Sequence, residues 1–130
     1  MKPLLTIFTL VFTVMFSSTS YAEWTKVSED TMGNTFYVDF ERIRKHGGYV
    51  YWWDLTDFLK PTRHGDLSGT IYKQGDCKLF QEKWLSLSFY KQPMGGGTGD
   101  TVPVPKKHKD WISPPRNSSA AKVLKAVCSR

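Results

Sequence analysis

Apolar and polar positions alternate with period two along most of this chain and change to helical spacing only near its end. The clearest stretch is Tyr49–Phe58, YVYWWDLTDF, half of it aromatic and most of the rest of high β-propensity. As a strand it places Tyr49, Tyr51, Trp53 and Leu55 on one face and Val50, Trp52 and Phe58 on the other. Strands apolar on both faces are central or covered by a partner. Thr35–Phe40 alternates well, and Trp24–Ser28 more weakly, with turn residues Met32-Gly33-Asn34 between them. Glu41–His46 reads as one helical turn before Gly47-Gly48 redirects the chain. Pro61 stops the aromatic strand and Arg63-His64-Gly65-Asp66 is a loop, after which Leu67–Gln74 is a strand weakened by Gly69.

Lys78–Tyr90 is a longer strand candidate, with Leu85, Leu87 and Phe89 alternating against Ser86 and Ser88. Its first half fits neither face, which points to a bulge or hairpin turn near Gln81-Glu82. Gln92–Pro105, with GGGTG and three prolines, has no periodicity and reads as a long loop of the kind that contacts partners. The last element is a helix capped by Asn117 or Ser118, with Ala120, Val123, Leu124 and Val127 as its apolar stripe and Cys128 on the same face. The expected fold class is α+β: a mainly antiparallel sheet with a carboxy-terminal α-helix packed on it.

The first 22 residues change how the rest is read. Lys2 precedes an apolar run from Leu4 to Phe16, and Ser20 and Ala22 occupy the small positions of a cleavage site. This is the layout of a secretory signal peptide, and the run is short for a membrane span. Residues 23–130 are then expected to form one exported domain, in the periplasm, at the cell surface or secreted. No cysteine follows the apolar run, so amino-terminal lipid attachment is not expected. Cys77 and Cys128 meet an oxidising compartment, and one intramolecular disulfide is the default, with a catalytic thiol or zinc site the alternative. A bridge there closes a loop that the chain-entropy model values at roughly 4 kcal/mol and staples the helix to the sheet. With one face of Tyr49–Phe58 under that helix, Tyr51, Trp53 and Leu55 are expected in the core. Val50 and Trp52 are then the candidate interface with a second subunit.

Charge adds a candidate binding surface. From Lys106 onward there are seven bases and one acid, whereas Glu23–Pro105 holds ten bases and eleven acids. Lys106, Lys107, Lys109, Arg116, Lys122 and Lys125 are candidate contacts to a protein or polyanionic glycan, or peripherally to lipid headgroups. A solvated helix face kept for solubility explains the same charges. Nucleic acid is disfavoured by the compartment and by the lack of a recognition motif.

Catalytic chemistry finds little support. His46, His64 and His108 stand in separate loop-like places without metal-ligand spacing, and GGGTG lacks the Gly-Lys-Ser/Thr of a phosphate loop. Asp54 and Asp57 face opposite sides of a strand, and no histidine in sequence range marks Ser86 or Ser88 as a nucleophile. No catalytic residue, metal or cofactor is assigned.

The order of small motifs does resemble a family. Trp24, the Phe36–Phe40 strand FYVDF with Ile43 and the glycine turn, the block Trp53–Phe58, Ser68 and Asp76-Cys77 recur in that order. Ser88-Phe89-Tyr90, Trp111, Pro115, Ser118 and Val127-Cys128 complete the set. Together the chain resembles the surface-adhesin protein E-like family of small exported bacterial proteins. The resemblance implies an antiparallel β-domain whose carboxy-terminal helix is held by Cys77–Cys128. It implies adhesion to host matrix or serum proteins and a homodimer, since the family's named member engages laminin and vitronectin and dimerises. That member also carries a lipidation cysteine, which this chain lacks. Three function classes stay open: an adhesin-like binding module, a periplasmic structural protein acting as a dimer or assembly subunit, and an inhibitor of a lytic enzyme.

Overall fold

The alternating stretches become seven strands joined into one antiparallel sheet in the computed structural model, which describes residues 22–130. All of the expected signal peptide except its last residue lies outside the described residues. The strands are β1 (Trp24–Glu29), β2 (Thr35–Asp39), β3 (Arg44–His46), β4 (Tyr49–Asp57), β5 (Ser68–Asp76), β6 (Gln81–Tyr90) and β7 (Gly99–Val102). Two short 3-10 turns, Phe40–Arg42 and Pro93–Gly95, and two α-helices, α1 (Lys106–Lys109) and α2 (Ser119–Cys128), complete the chain. The sheet order is β1-β2-β4-β5-β6-β7, with β3 also beside β4. The α+β architecture read from the sequence is the one observed.

β2 pairs with the Asp54–Asp57 half of β4 and β3 with its Tyr49–Tyr51 half, so together they flank β4 as one interrupted strand. Asp39 makes the interruption. Its Oδ1 accepts from the Glu41 backbone N–H at 3.1 Å and its Oδ2 from Arg42 Nε at 2.7 Å, winding a 3-10 turn. The segment Glu41–His46, read as a helical turn, is therefore half turn and half strand. Gly47 and Gly48, both at positive φ, close the β3–β4 hairpin.

Two differences from the alternation pattern have clear causes. Residues 77–80 form the β5–β6 turn, so β6 begins only at Gln81. Within β6 the register slips: Tyr72 faces Ser86 but Lys73 faces Trp84, leaving Leu85 bulged and 42% exposed. The bulge shifts the phase by one, so Trp84 rather than Leu85 joins Leu87 and Phe89 on one face. The second difference is β7, which lies inside the stretch read as a structureless loop. Gly99–Val102 pairs with Leu87–Tyr90, and a side chain at Gly99 would collide with the Tyr90 ring.

The helix docks on the face opposite to the one expected. Val123, Leu124 and Val127 of α2 pack with Val38, Val50 and Trp52 into the core cluster. Fully burying each such aliphatic side chain contributes roughly 1.5–3 kcal/mol. Val50 and Trp52 are 3% and 0% exposed, so the pair assigned to a subunit interface is closed to any partner. Tyr51 and Trp53, assigned to the core, are instead half-buried on the far face, while Leu55 is buried there against the Pro93–Gly95 turn. Gly75 explains the choice of face. It pairs with Val50, and a Cβ there would lie 2.8 Å from Trp52 Cζ3 and 3.0 Å from Leu124 Cδ1. The other face of β5 carries Tyr72 and Gln74 at the neighbouring positions and offers no such recess. Ser118 caps α2, its Oγ accepting from the Ala121 N–H at 3.1 Å, and the Cys77–Cys128 disulfide joins the helix end to the β5–β6 turn.

Candidate functional site

Strand register brings three charged side chains together on the helix-bearing face. Asp54 (β4), Lys73 (β5) and Glu82 (β6) meet in the interior, with Lys73 Nζ donating to Asp54 Oδ2 at 3.2 Å and to Glu82 Oε2 at 3.0 Å. Trp52 Nε1 also donates to Asp54 Oδ2, at 3.2 Å. Each residue is at most 5% exposed. With all three ionised the cluster carries one net negative charge. Burial raises the Asp54 pKa above the usual carboxylate value, Lys73 opposes that shift and Glu82 adds to it. Burial alone would lower the Lys73 pKa, but the two carboxylates overcome it and hold the ammonium charged above its ordinary range.

Beside this cluster the sheet face is only partly roofed. α2 packs over β1, β2 and β4, and α1 over β6, where the His108 ring stacks on Trp84 with centroids 3.7 Å apart and planes 3° apart. An open apolar groove of about 560 Å³ remains between them. Its floor includes Ile71, Leu87 and Phe89, and Asp54 and Lys73 also border it. The His108 pKa is lowered by burial first, then by the positive charges of Lys107 and Lys73.

The six basic candidates fall into two groups. Lys106, Lys107 and Lys109 are exposed on α1. Arg116, Lys122 and Lys125 are also exposed and surround a second cleft of about 480 Å³ floored in part by Phe80. Among the described residues the ion pairs involve Lys26, Arg42, Lys73 and Lys91, so none of these six bases is paired with a carboxylate. No acidic residue lines the second cleft.

On the opposite sheet face the aromatics form a ladder. Tyr51 and Tyr72 have ring centroids 6.3 Å apart, Trp53 and Tyr72 4.8 Å, and Gln74 Nε2 donates to Tyr51 Oη at 3.0 Å. All three rings are half-buried, and among the described residues the helices pack on the other face of the sheet.

Sequence reading missed the Asp54–Lys73–Glu82 cluster and the Trp84–His108 stack. A signal for the first exists: Asp54 interrupts an apolar strand, and a carboxylate there demands a buried cation. His108, read as a loop residue, sits on α1.

A family model described as surface-adhesin protein E matches residues 24–129. Among solved structures, crystal form II of Haemophilus influenzae protein E is 16% identical, covers 85% of this chain and 91% of its own, and superposes with a TM-score of 0.62. The selenomethionine form of Haemophilus influenzae protein E is also 16% identical, with coverages of 86% and 90% and a TM-score of 0.62. Protein E from non-typeable Haemophilus influenzae is 15% identical, with coverages of 87% and 79% and a TM-score of 0.58. At these identities the likeness is one of fold. A search of curated proteins finds no match.

Proposed function

The chain belongs to the surface-adhesin protein E family, and from that premise we propose that it is an exported binding protein that holds an acidic macromolecule at the Arg116–Lys122–Lys125 cleft. The amino-terminal 22 residues serve as a cleaved signal peptide and residues 23–130 form the adhesin-type domain. One observation carries the reading: three exposed bases surround a single cleft, with no carboxylate on them or lining it. Lys122 and Lys125 on the disulfide-anchored helix and Arg116 in the turn leading into it together offer cations to sulfate or carboxylate groups, and Arg116 supplies the planar fork that binds such groups in pairs. The exposed lysines of α1 extend the attraction.

The partner class is an anionic glycan or an acidic protein surface. Binding of this kind weakens with salt, since exposed charges are screened over about 8 Å at physiological ionic strength. Immobilised heparin is the probe. Retention is expected to fall steeply with salt and to drop when Arg116, Lys122 and Lys125 are all changed to Gln. Retention indifferent to salt and to the triple substitution contradicts the proposal.

A second reading, an envelope subunit that self-associates, draws on the Tyr51–Trp53–Tyr72 ladder, a half-exposed aromatic surface of the kind enriched at interfaces. Sedimentation showing a strict monomer at high concentration counts against it.

A further inference from the structure

Two loops at one end of the sheet hold bare apolar side chains in place. Residues 30–34 join β1 to β2 and residues 58–67 join β4 to β5. Met32 in the first loop is 77% exposed and Leu59 in the second 64%. Neither is frayed. Asp30 Oδ1 accepts from the Met32 and Asn34 backbone N–H groups at 3.0 and 2.9 Å, and Asn34 Oδ1 accepts from the Leu59 N–H at 3.1 Å. Gly33, at positive φ, lies against Leu59, where a Cβ would stand 2.7 Å from Leu59 Cδ2. Met32 and Leu59 therefore project from neighbouring positions on a tied pair of loops.

Charge says what the tip would meet. Lys60 and Arg63 follow Leu59 in the same loop, both exposed and neither in an ion pair among the described residues. The acids nearby are already used: Asp30 by the backbone groups above, Asp57 by the Met94 N–H, and Asp66 by Lys91 at 3.0 Å. The outward charge beside the apolar pair is thus positive, and its complement is anionic. Shape narrows the partner further. Neither Met32 nor Leu59 lines any of the clefts described above. Two tip side chains also fall far short of the roughly 800 Å² per partner of a standard protein interface. A bilayer, by contrast, takes apolar groups one at a time, each buried CH₂ adding to affinity while cations hold the headgroups.

We propose that this tip docks on an anionic membrane surface, with Met32 and Leu59 entering the headgroup–acyl boundary and Lys60 and Arg63 against the phosphates. The basic cleft is a separate site. Phe80 at its floor lies beyond the far end of β5, whose nine residues span about 30 Å. A molecule docked by the tip keeps that cleft clear of the membrane.

The test is co-sedimentation of the native protein with phosphatidylcholine vesicles, with and without phosphatidylglycerol. Binding is expected with phosphatidylglycerol and should be at least about tenfold weaker without it. Met32→Ser combined with Leu59→Ser should weaken binding at least about tenfold. Lys60→Gln and Arg63→Gln should each cost about fivefold. Neither base makes a side-chain hydrogen bond among the described residues, so the charge variants decide the case even where the apolar pair alters the thermal melt. Changing Arg116, Lys122 and Lys125 together to Gln should change binding less than about twofold, because that cleft lies several screening lengths away. Absent binding to the anionic vesicles, equal binding to the neutral ones, or full binding by the charge variants would overturn the proposal. So would loss of binding in the cleft variant, or a dimer in sedimentation that Met32→Ser with Leu59→Ser dissociates.

Discussion

Changing Lys73 to Met removes the cation of the buried cluster and leaves two carboxylates without a counter-charge. The Lys73 side chain is 6% exposed, and its partners on Asp54 and Glu82 are 7% and 2% exposed, so water does little to screen what remains. Breaking a buried pair by removing one partner costs about 3–5 kcal/mol. Set against roughly 5–15 kcal/mol for a whole domain, that is a large share of the stability. Asp54→Asn is the control. It removes the unmatched negative charge and keeps a carbonyl for the Trp52 Nε1 hydrogen bond, so it should cost less than about 1 kcal/mol, near the value of a single neutral hydrogen bond. Urea unfolding at constant m reports both values.

The pH dependence supplies the sign. The Asp54 pKa is raised in the folded state, so folding takes up protons on descending through that value. Ionised Asp54 therefore opposes folding at high pH, and the opposition fades as pH falls from the raised value toward the ordinary carboxylate range. Removing Lys73 takes away the charge that opposes this shift, so the Lys73→Met penalty should shrink between pH 7 and pH 5. For the native protein, Lys73 contributes stability that is present below its ordinary pKa and is lost only as pH rises above it. A Lys73→Met penalty under about 1 kcal/mol at pH 7, within the range of exposed pairs and unchanged at pH 5, would refute the buried-cluster reasoning.

Other consequences follow from the packing of α2. Gly75→Ala should destabilise by about 1–3 kcal/mol through overpacking, because the new methyl meets the Trp52 ring and Leu124; a neutral result in thermal melts would count against the tight helix–sheet approach. Replacing Cys77 and Cys128 by Ser should cost about 4 kcal/mol by loop-closure entropy, with amide-exchange protection lost first in α2. Ser118→Ala should cost about 1 kcal/mol and raise exchange at the Ala121 amide.

Much of the fold could be read from period and punctuation. β1, β2, β4, β5 and α2 arise where alternation or helical spacing, glycine turns and the Ser118 cap coincide. Where reading failed, the deciding information was non-local. The Tyr49–Asp57 strand is apolar on both faces, so its own residues cannot choose the side on which the helix lies. Gly75, far along the chain, makes that choice by leaving room for Leu124. β7 has no apolar pattern of its own and exists because β6 offers an edge and Gly99 yields to Tyr90. Lys73 resembles any solvated lysine in a polar strand until register sets it between Trp52 and Trp84. The bases from Lys106 onward were visible as charge, but their division between α1 and one cleft depends on the turn through Pro114, Arg116 and Asn117.

The central functional claim is that partners dock at the Arg116–Lys122–Lys125 cleft on the helix side. Amide shift mapping of isotope-labelled protein titrated with a defined heparin oligosaccharide tests it most directly. The expected result is saturable shifts concentrated at Arg116, Lys122 and Lys125, fading as salt is raised. Shifts confined to the Tyr51–Trp53–Tyr72 face, or none at all, would contradict it.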